Sequence, residues 1–407
     1  AIENYYAVSK CERPRFPFAS IQSNVKAYNR RHTIKMQPNQ IFYPREVISV
    51  ADVKVDLDSL GYLSGSYRGL SDTVSSAQTY QSTHINLNAS GKVSGVSTAV
   101  LDQAKKVEDA LTTWLSDTEK ATSGSADCVD DCVRSYQENE RVSAELFDGH
   151  YTPADVASAR SGASSTASGK LTTPAAQKTF ATVFNAIGMV GNSISPSYWL
   201  GTAADKVLDL ILGQGEHDPF AAIGNTIAGD WEKFSVASDA LSKMSDYFKE
   251  LGSESKNYWN NVDPDWDGGA SDAASDALGK MGTSFDDASK RLTKFSSSYN
   301  AVAVGVYNTA DTLAGLLRTL ADWGIAAIAS AAAGTAAFET VIGPIIGYVA
   351  AGAAVLKVLS TVREIFDVLG KVWDFVTAFT GQCSLWLGLV HGSGDPLTIY
   401  KPSFSEQ

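Results

Sequence analysis

Residues 270–323, ASDAASDALGKMGTSFDDASKRLTKFSSSYNAVAVGVYNTADTLAGLLRTLADW, decide the fold. From Ala274 the apolar residues recur at Leu278, Met281, Phe285, Ala288, Leu292, Phe295, Tyr299, Val302, Val306, Leu313, Leu316 and Leu320, with Thr309 or Ala310 filling the one weak place. Steps of three and four place these side chains on one face of a helix, whereas a half-buried strand would alternate by two. No proline interrupts the run. At 1.5 Å per residue the segment predicts a rod of roughly 80 Å, far longer than a compact domain needs. Its apolar stripe must be covered by other helices along most of that length.

Upstream, Phe234, Ala237, Leu241, Met244, Phe248 and Leu251 make a matching stripe that ends near Tyr258 and Trp259. Asn260 to Gly269 then reads as the tip of an antiparallel helical hairpin over 231–323. An earlier stripe runs through Leu60, Leu63, Tyr67, Leu70, Val74 and Ala77. It breaks at 81–95 and resumes as Val96, Val100, Val107, Leu111, Trp114, Thr118 and Ala121, extended by Cys128 to Phe147, which predicts a first hairpin over 47–150. The expected fold is therefore all-α: an elongated antiparallel helical bundle built from two long helical hairpins. Residues 1–46, basic and carrying Pro14, Pro17, Pro38 and Pro44, read as an irregular N-terminal arm.

The connections follow from composition. Residues 151–176 hold the small, polar run ASARSGASSTASGKLTTPAA (157–176) and read as a flexible linker between the hairpins. Residues 177–230, broken by Pro196 and Pro219, read as short bracing helices. An Ala/Gly-rich apolar segment, 324–356, contains one charge, Glu339. It is long enough to cross a bilayer once, but Gly334, Gly343, Pro344 and Gly347 interrupt it and alanine contributes little transfer free energy. It reads equally as a buried helical hairpin whose small residues let backbones approach closely, and Ile325, Phe338, Ile342, Ile345, Ile346 and Val349 are its candidate contacts with a membrane or a second subunit. An amphipathic helix from Lys357 to Phe379 completes the 324–380 region, and 381–407 reads as a tail.

The formal charge of −12 is unevenly spread, since residues 1–45 hold Lys10, Arg13, Arg15, Lys26, Arg30, Arg31, Lys35 and Arg45 against Glu3 and Glu12. An acidic body disfavours nucleic acid as a partner, and the basic arm is expected to lie on that body or on a neighbouring subunit. Residues 1–30 lack the charged start, apolar stretch and small-residue cleavage site of a secretory signal peptide. Cys128 and Cys132 lie one helical turn apart, with Cys11 and Cys383 near the two ends. Long-range pairing, such as Cys11 with Cys128 or Cys132, stands beside free buried thiols, and no histidine lies near the pair to complete a zinc site.

No catalytic pattern stands out. His32, His84, His150, His217 and His391 are scattered, and no nucleophile elbow, Walker loop or dinucleotide-binding glycine motif is present. Asp263-Pro264-Asp265-Trp266-Asp267-Gly268 opens like a calcium loop, but Ala274 stands where the bidentate glutamate belongs. The sequence thus predicts a non-enzymatic protein with no cofactor, no metal and no small-molecule substrate.

The second hairpin, with Trp266-Asp267-Gly268 at its turn, resembles the W-x-G family of helical-hairpin proteins exported by type VII (ESX-like) secretion systems. In that family a Tyr-x-x-x-Asp/Glu signal follows the hairpin. Here Tyr136 with Glu140 follows the first hairpin and Tyr307 with Asp311 lies beyond the second tip. The match covers roughly 57–146 and 232–323, the first hairpin lacks a W-x-G, and the chain is about four times a typical member, so a single-chain tandem pair is implied. The resemblance implies an exported structural or delivery protein that assembles with itself or with other helical secreted proteins. The alternative is an α-helical pore-forming toxin that inserts 324–356 into a membrane.

Overall fold

The computed structural model describes residues 54–87, 96–147, 161–176, 231–336 and 343–391. These form six helices: α1 (Leu57–Asp72), α2 (Val74–His84), α3 (Val96–Phe147), α4 (Trp231–Asn260), α5 (Gly269–Ala336) and α6 (Gly343–His391). The all-α expectation holds, since the described residues contain no strand beyond one isolated bridge between Val55 and Trp266. Asp56 caps α1 by accepting from the Asp58 and Ser59 N–H groups, satisfying two of the donors that a helix start leaves unpaired. Thr73 makes the joint between α1 and α2, its hydroxyl donating to the Leu70 carbonyl.

α4 and α5 run antiparallel along a seam of small residues. Ser238 donates to the Ser296 carbonyl at 2.8 Å and Ser245 to the Ser289 carbonyl at 2.8 Å. One heptad further on, Gly252 faces Gly282, and a Cβ on Gly252 would lie 2.9 Å from an Asp286 oxygen and 3.3 Å from the Gly282 carbonyl. Small side chains every seven residues let the backbones approach closely while Phe248, Leu251, Met281 and Phe285 fill the flanks. Thr309 and Ala310, the weak place in the stripe of α5, are both buried.

α1 also pairs antiparallel, with α3 on one side and α4 on the other. Ser64 donates to the Ala126 carbonyl, Arg68 bridges Asp127 and Asp130, and Gln81 reaches the Glu108 carbonyl. Toward α4 the contacts are buried hydroxyl pairs, Tyr67 with Ser255 at 2.7 Å and Thr73 with Tyr247 at 3.0 Å. α5 meets α3 through Trp114 and Phe295, then α6 through Tyr299 and Phe379. Further along, Gly305 receives the ring of Phe375.

Three expectations need correction. Residues 161–176 are no flexible linker but a strap lying between α1–α2 and α4. A Cβ on Gly162 would stand 2.1 Å from the Gly65 carbonyl carbon, and one on Gly69 would stand 2.8 Å from the Ala163 oxygen, so glycines permit a backbone contact that no other residue could. The Glu254 carboxylate accepts from the Ser165 hydroxyl, the Thr166 N–H and the Thr166 hydroxyl at 2.6, 2.7 and 2.8 Å. Tyr80 donates to the Thr172 carbonyl and the Ala175 N–H to Asp239, which fixes the far end. Small polar residues bury little apolar area, but they satisfy backbone groups at close range, and that is what holds the strap.

The second correction concerns 324–356, whose described parts are the end of α5 and the start of α6 rather than a separate element. Ile325 lies on α5 and Ile345, Ile346 and Val349 on α6, while Phe338 and Ile342 fall outside the described residues. The third is the tail, since α6 continues to His391. The basic arm (1–46), Cys11 and the bracing helices of 177–230 also lie outside the described residues. No helix among the described residues is long and apolar enough to cross a membrane.

Candidate functional site

The turn between α4 and α5 is built residue by residue. The Val262 N–H closes onto the Trp259 carbonyl, Asp263–Asp265 make one 3-10 turn with Pro264 near its start, and Trp266 is extended. Gly268 follows with φ of 112°, a left-handed conformation that strains any residue bearing a Cβ. Ser271 then donates to the Trp266 carbonyl at 2.6 Å and the Asp272 N–H to the Gly268 carbonyl, starting α5. Trp266 and Gly268 have separate tasks here: the indole fills the end of the interhelical seam, and the glycine reverses the backbone beside it.

Trp266 is 1% exposed, with its ring 6.0 Å from that of Trp259. Its indole Nε1–H donates to the Tyr136 hydroxyl on α3 at 3.2 Å. Two motifs 130 residues apart in sequence thus meet at one point. Tyr136 is half-buried and Glu140, one turn beyond it, is exposed. An indole can only donate, so its partner must accept, and a tyrosine hydroxyl at the water boundary does so while keeping its own proton for a second contact.

The chain just before α1 clamps the other side. The Asp267 N–H donates to the Lys54 carbonyl at 2.8 Å and the Asp56 N–H to the Asp265 carbonyl at 2.9 Å. Lys54 also donates its ammonium to the Pro264 carbonyl at 2.6 Å and lies 3.6 Å from the Asp265 carboxylate, which accepts from Ser59 as well. Asp265, the third position of the calcium-like opening, is therefore committed to Ser59 and Lys54. Among the described residues no group of three or more His, Cys, Asp or Glu could hold a metal ion. The result is a tip held by several hydrogen bonds, with Val262 and Trp266 buried within and Asp263 and Asp267 exposed outside.

The second tyrosine motif is not part of this cluster. Tyr307 is half-buried and Asp311 exposed on α5, about 60 Å along the helix from the tip. Cys128 and Cys132 are half-buried on α3 near the tip end, whereas Cys383 is fully buried on α6 beside Ser384, which contacts Gln103. Some 25 residues of α3, roughly 37 Å, separate these places, so Cys383 cannot bridge to either within one chain. Burial pushes the Cys383 thiol up to about 12.

Sequence reasoning missed Lys54, Asp56 and Glu254, and weighed Asp265 only as part of a calcium-like opening. The contacts of Lys54, Asp56 and Asp265 across the tip carry no local signal, because their partners come from about 200 residues away. Glu254 did carry one: it stands on the apolar stripe between Leu251 and Tyr258, where a charge needs a buried reason. Compared with family models, with curated proteins and with solved structures, the chain matches none of them.

Proposed function

We propose that this chain is a non-enzymatic exported protein of the type VII (ESX-like) kind, an elongated antiparallel bundle of two helical hairpins acting as a structural or delivery component. It assembles with itself or with other helical secreted proteins at the cell envelope or outside the cell, without nucleic acid, cofactor or small-molecule substrate. The observation that supports this reading is the hydrogen bond from the buried Trp266 to the half-buried Tyr136, which joins the W-x-G turn to the Tyr-x-x-x-Glu motif at one end of the hairpin. A recognition signal assembled from two distant motifs is legible only in the folded chain, which suits export of a folded protein. Tyr307 and Asp311, remote from the tip, take no part in the proposed signal.

Export from a host with a type VII system tests the proposal. Tyr136→Ala and Glu140→Ala are each expected to cut secretion at least tenfold while the purified variants keep their helical content. Tyr136→Phe, which keeps the ring and loses the acceptor, should fall between. Unchanged secretion of Tyr136→Ala would overturn the export reading. The pore-forming alternative draws only on the Ala/Gly-rich composition of 324–356 and requires α5 and α6 to refold. Dye release from liposomes that an Ile346→Asp change abolishes would move the balance to it.

A further inference from the structure

The strap at 161–176 is held by different chemistry on its two sides. Toward α1 and α2 its contacts are neutral: Gly162 lies on the Gly65 backbone, the Ala163 N–H donates to the Ser66 hydroxyl at 2.9 Å, and Tyr80 donates to the Thr172 carbonyl at 2.9 Å. Toward α4 every polar contact among the described residues ends on a carboxylate. Glu254 accepts from the Ser165 hydroxyl and from both the N–H and the hydroxyl of Thr166. Glu250, one turn earlier, accepts from the Thr166 hydroxyl at 3.3 Å and pairs with Lys170 at 3.3 Å. Asp239 accepts from the Ala175 N–H at 3.0 Å. The strap fully buries no apolar side chain larger than Ala167 and Pro174, so these polar contacts decide where it lies.

An ionised carboxylate only accepts, and its charge-assisted bonds are about twice as strong as neutral ones. Glu254 is 8% exposed, and the three groups around it all donate. Once protonated, one of its oxygens must donate instead. The Thr166 N–H cannot receive that proton, and the bonds that persist are neutral. We propose that the strap is an acid-opened latch: protonation of Glu254, with Glu250 and Asp239, releases it from α4 while it stays attached to α1 and α2. The helices themselves stay together, because Tyr67 with Ser255 and Thr73 with Tyr247 are hydroxyl pairs that acid does not alter.

Most neighbouring groups keep their state as pH falls from neutrality. Lys170 on the strap, Lys243 on α4 and Arg68 on α1, which pairs with Asp127 and Asp130, stay cationic. The phenols of Tyr62 and Tyr67 on α1, Tyr80 on α2, and Tyr247 and Tyr258 on α4 stay neutral. Burial raises Tyr247 and Tyr258, and the Glu254 charge adds to it. Asp72 and Asp246 are exposed and bond to no strap residue. His84 remains, its ring 4.8 Å from that of Tyr80 on the neutral side, and histidine also changes charge in that interval.

Residue-resolved hydrogen exchange on the full chain tests the latch, at about pH 7 and about pH 3.5, either side of the isoelectric point near 4.9. After correction for intrinsic rates, the Thr166 and Ala175 amides, bonded to carboxylates, should lose protection about tenfold or more in acid. The Ala163 amide, on Ser66, and the α5 amides beside Ser289 should keep theirs. Glu254→Gln should bring the Thr166 amide to its acid value already at pH 7, with little further change on acidification. Asp239→Asn, at a half-buried position that folding tolerates, should do the same for Ala175 alone. His84→Gln should change none of this.

Unchanged protection of Thr166 in acid overturns the proposal. Equal loss at Ala163 overturns it as well, since the whole strap would then leave, and so does loss at the α5 amides, since acid would then unfold the bundle. Full protection of Thr166 in Glu254→Gln at pH 7 would mean that a neutral acceptor suffices, which also sinks it. An acid response that His84→Gln removes would assign the switch to histidine instead. None of these amides reads secretion, so the latch stands or falls apart from the export reading.

Discussion

The two halves of α5 solve the same packing problem by opposite means. From Leu278 to Tyr299 the helix is gripped by α4 through a close seam of Ser238, Ser245, Gly252, Gly282, Ser289 and Ser296, with hydroxyl-to-carbonyl bonds across it. From Val302 to Leu320 it meets α6 through branched and aromatic side chains, and the contact at Gly305 is with the ring of Phe375 rather than with backbone. The near half is specified by geometry, because hydrogen bonds and glycine contacts tolerate one register only. The far half is specified by volume, which tolerates substitution as long as the space is filled.

The largest effect should come from emptying the near half. Phe285→Ala, at a side chain with no exposure, is expected to cost about 3–5 kcal/mol by chemical denaturation, a large share of a domain's net stability. Leu313→Ala in the far half should cost about 2–3 kcal/mol, since the facing side chains of α6 can settle into the space. Equal costs would erase the distinction between the halves.

Next come the close approaches. Gly162→Ala drives a methyl group to 2.1 Å from the Gly65 backbone, and Gly252→Ala places one at 2.9 Å from Asp286. Detachment of the strap by the first should cost about 2–3 kcal/mol and open 161–176 to limited proteolysis; the second should cost about 1–2 kcal/mol. Gly305→Ala should cost about as much as Gly252→Ala, because its methyl group would meet the Phe375 Cγ at 2.8 Å, an atom that a turn of the ring does not move. Resistance of the Gly162→Ala strap to protease would mean that the Glu254 bonds hold it unaided.

Alkaline titration separates the halves without mutation. Burial raises Tyr67, Tyr247 and Tyr299 above the ordinary tyrosine value of 10.0, outweighing the hydrogen bonds from Ser255 and Thr73 that favour ionisation of the first two. Their folded values are raised, so the stability they contribute is complete below pH 10 and is lost as pH climbs beyond it. Cys383 adds a loss from its ordinary 9.0 toward about 12. Unfolding above pH 10 should therefore begin where α1 and α2 meet α4, and Tyr67→Phe should move it to higher pH. An unmoved alkaline midpoint would remove Tyr67 from that account.

The smallest effects serve as controls. Gly279 and Gly315 lie on α5, one in each half, and a Cβ on either meets nothing within 4 Å. Alanine at each should stabilise by about 0.5–1 kcal/mol through helix propensity alone, equally in both halves. Thermal midpoints that differed between the two would show that the halves also differ in backbone strain.

Much of the fold was legible because helices announce themselves locally. The run from Ala274 to Leu320 shows its buried face through spacing alone, and even the weak place at Thr309 and Ala310 was correctly read as part of the stripe. The strap at 161–176 was misread for the converse reason. Its order comes from residues distant in sequence: Gly65 admits its backbone, Ser66 and Glu254 accept from its N–H and hydroxyl groups, and Tyr80 donates to its Thr172 carbonyl. Composition reports apolar burial well and polar complementarity hardly at all. Trp266 and Tyr136 were each visible as motif residues, but nothing in either neighbourhood tells that one donates to the other.

By itself, then, the sequence determined that this chain is helical, where its long apolar stripes lie, and that a Trp-x-Gly turn stands between two of them, since periodicity and glycine stereochemistry act over a few residues. Only the tertiary structure decided that the turn is clamped by Lys54–Asp56, that Tyr136 meets Trp266, and that a polar strap ties α1 to α4. Each of those contacts joins segments more than 85 residues apart. Hydrogen bonds and close backbone contacts depend on where the whole chain brings their partners, and no local pattern records that.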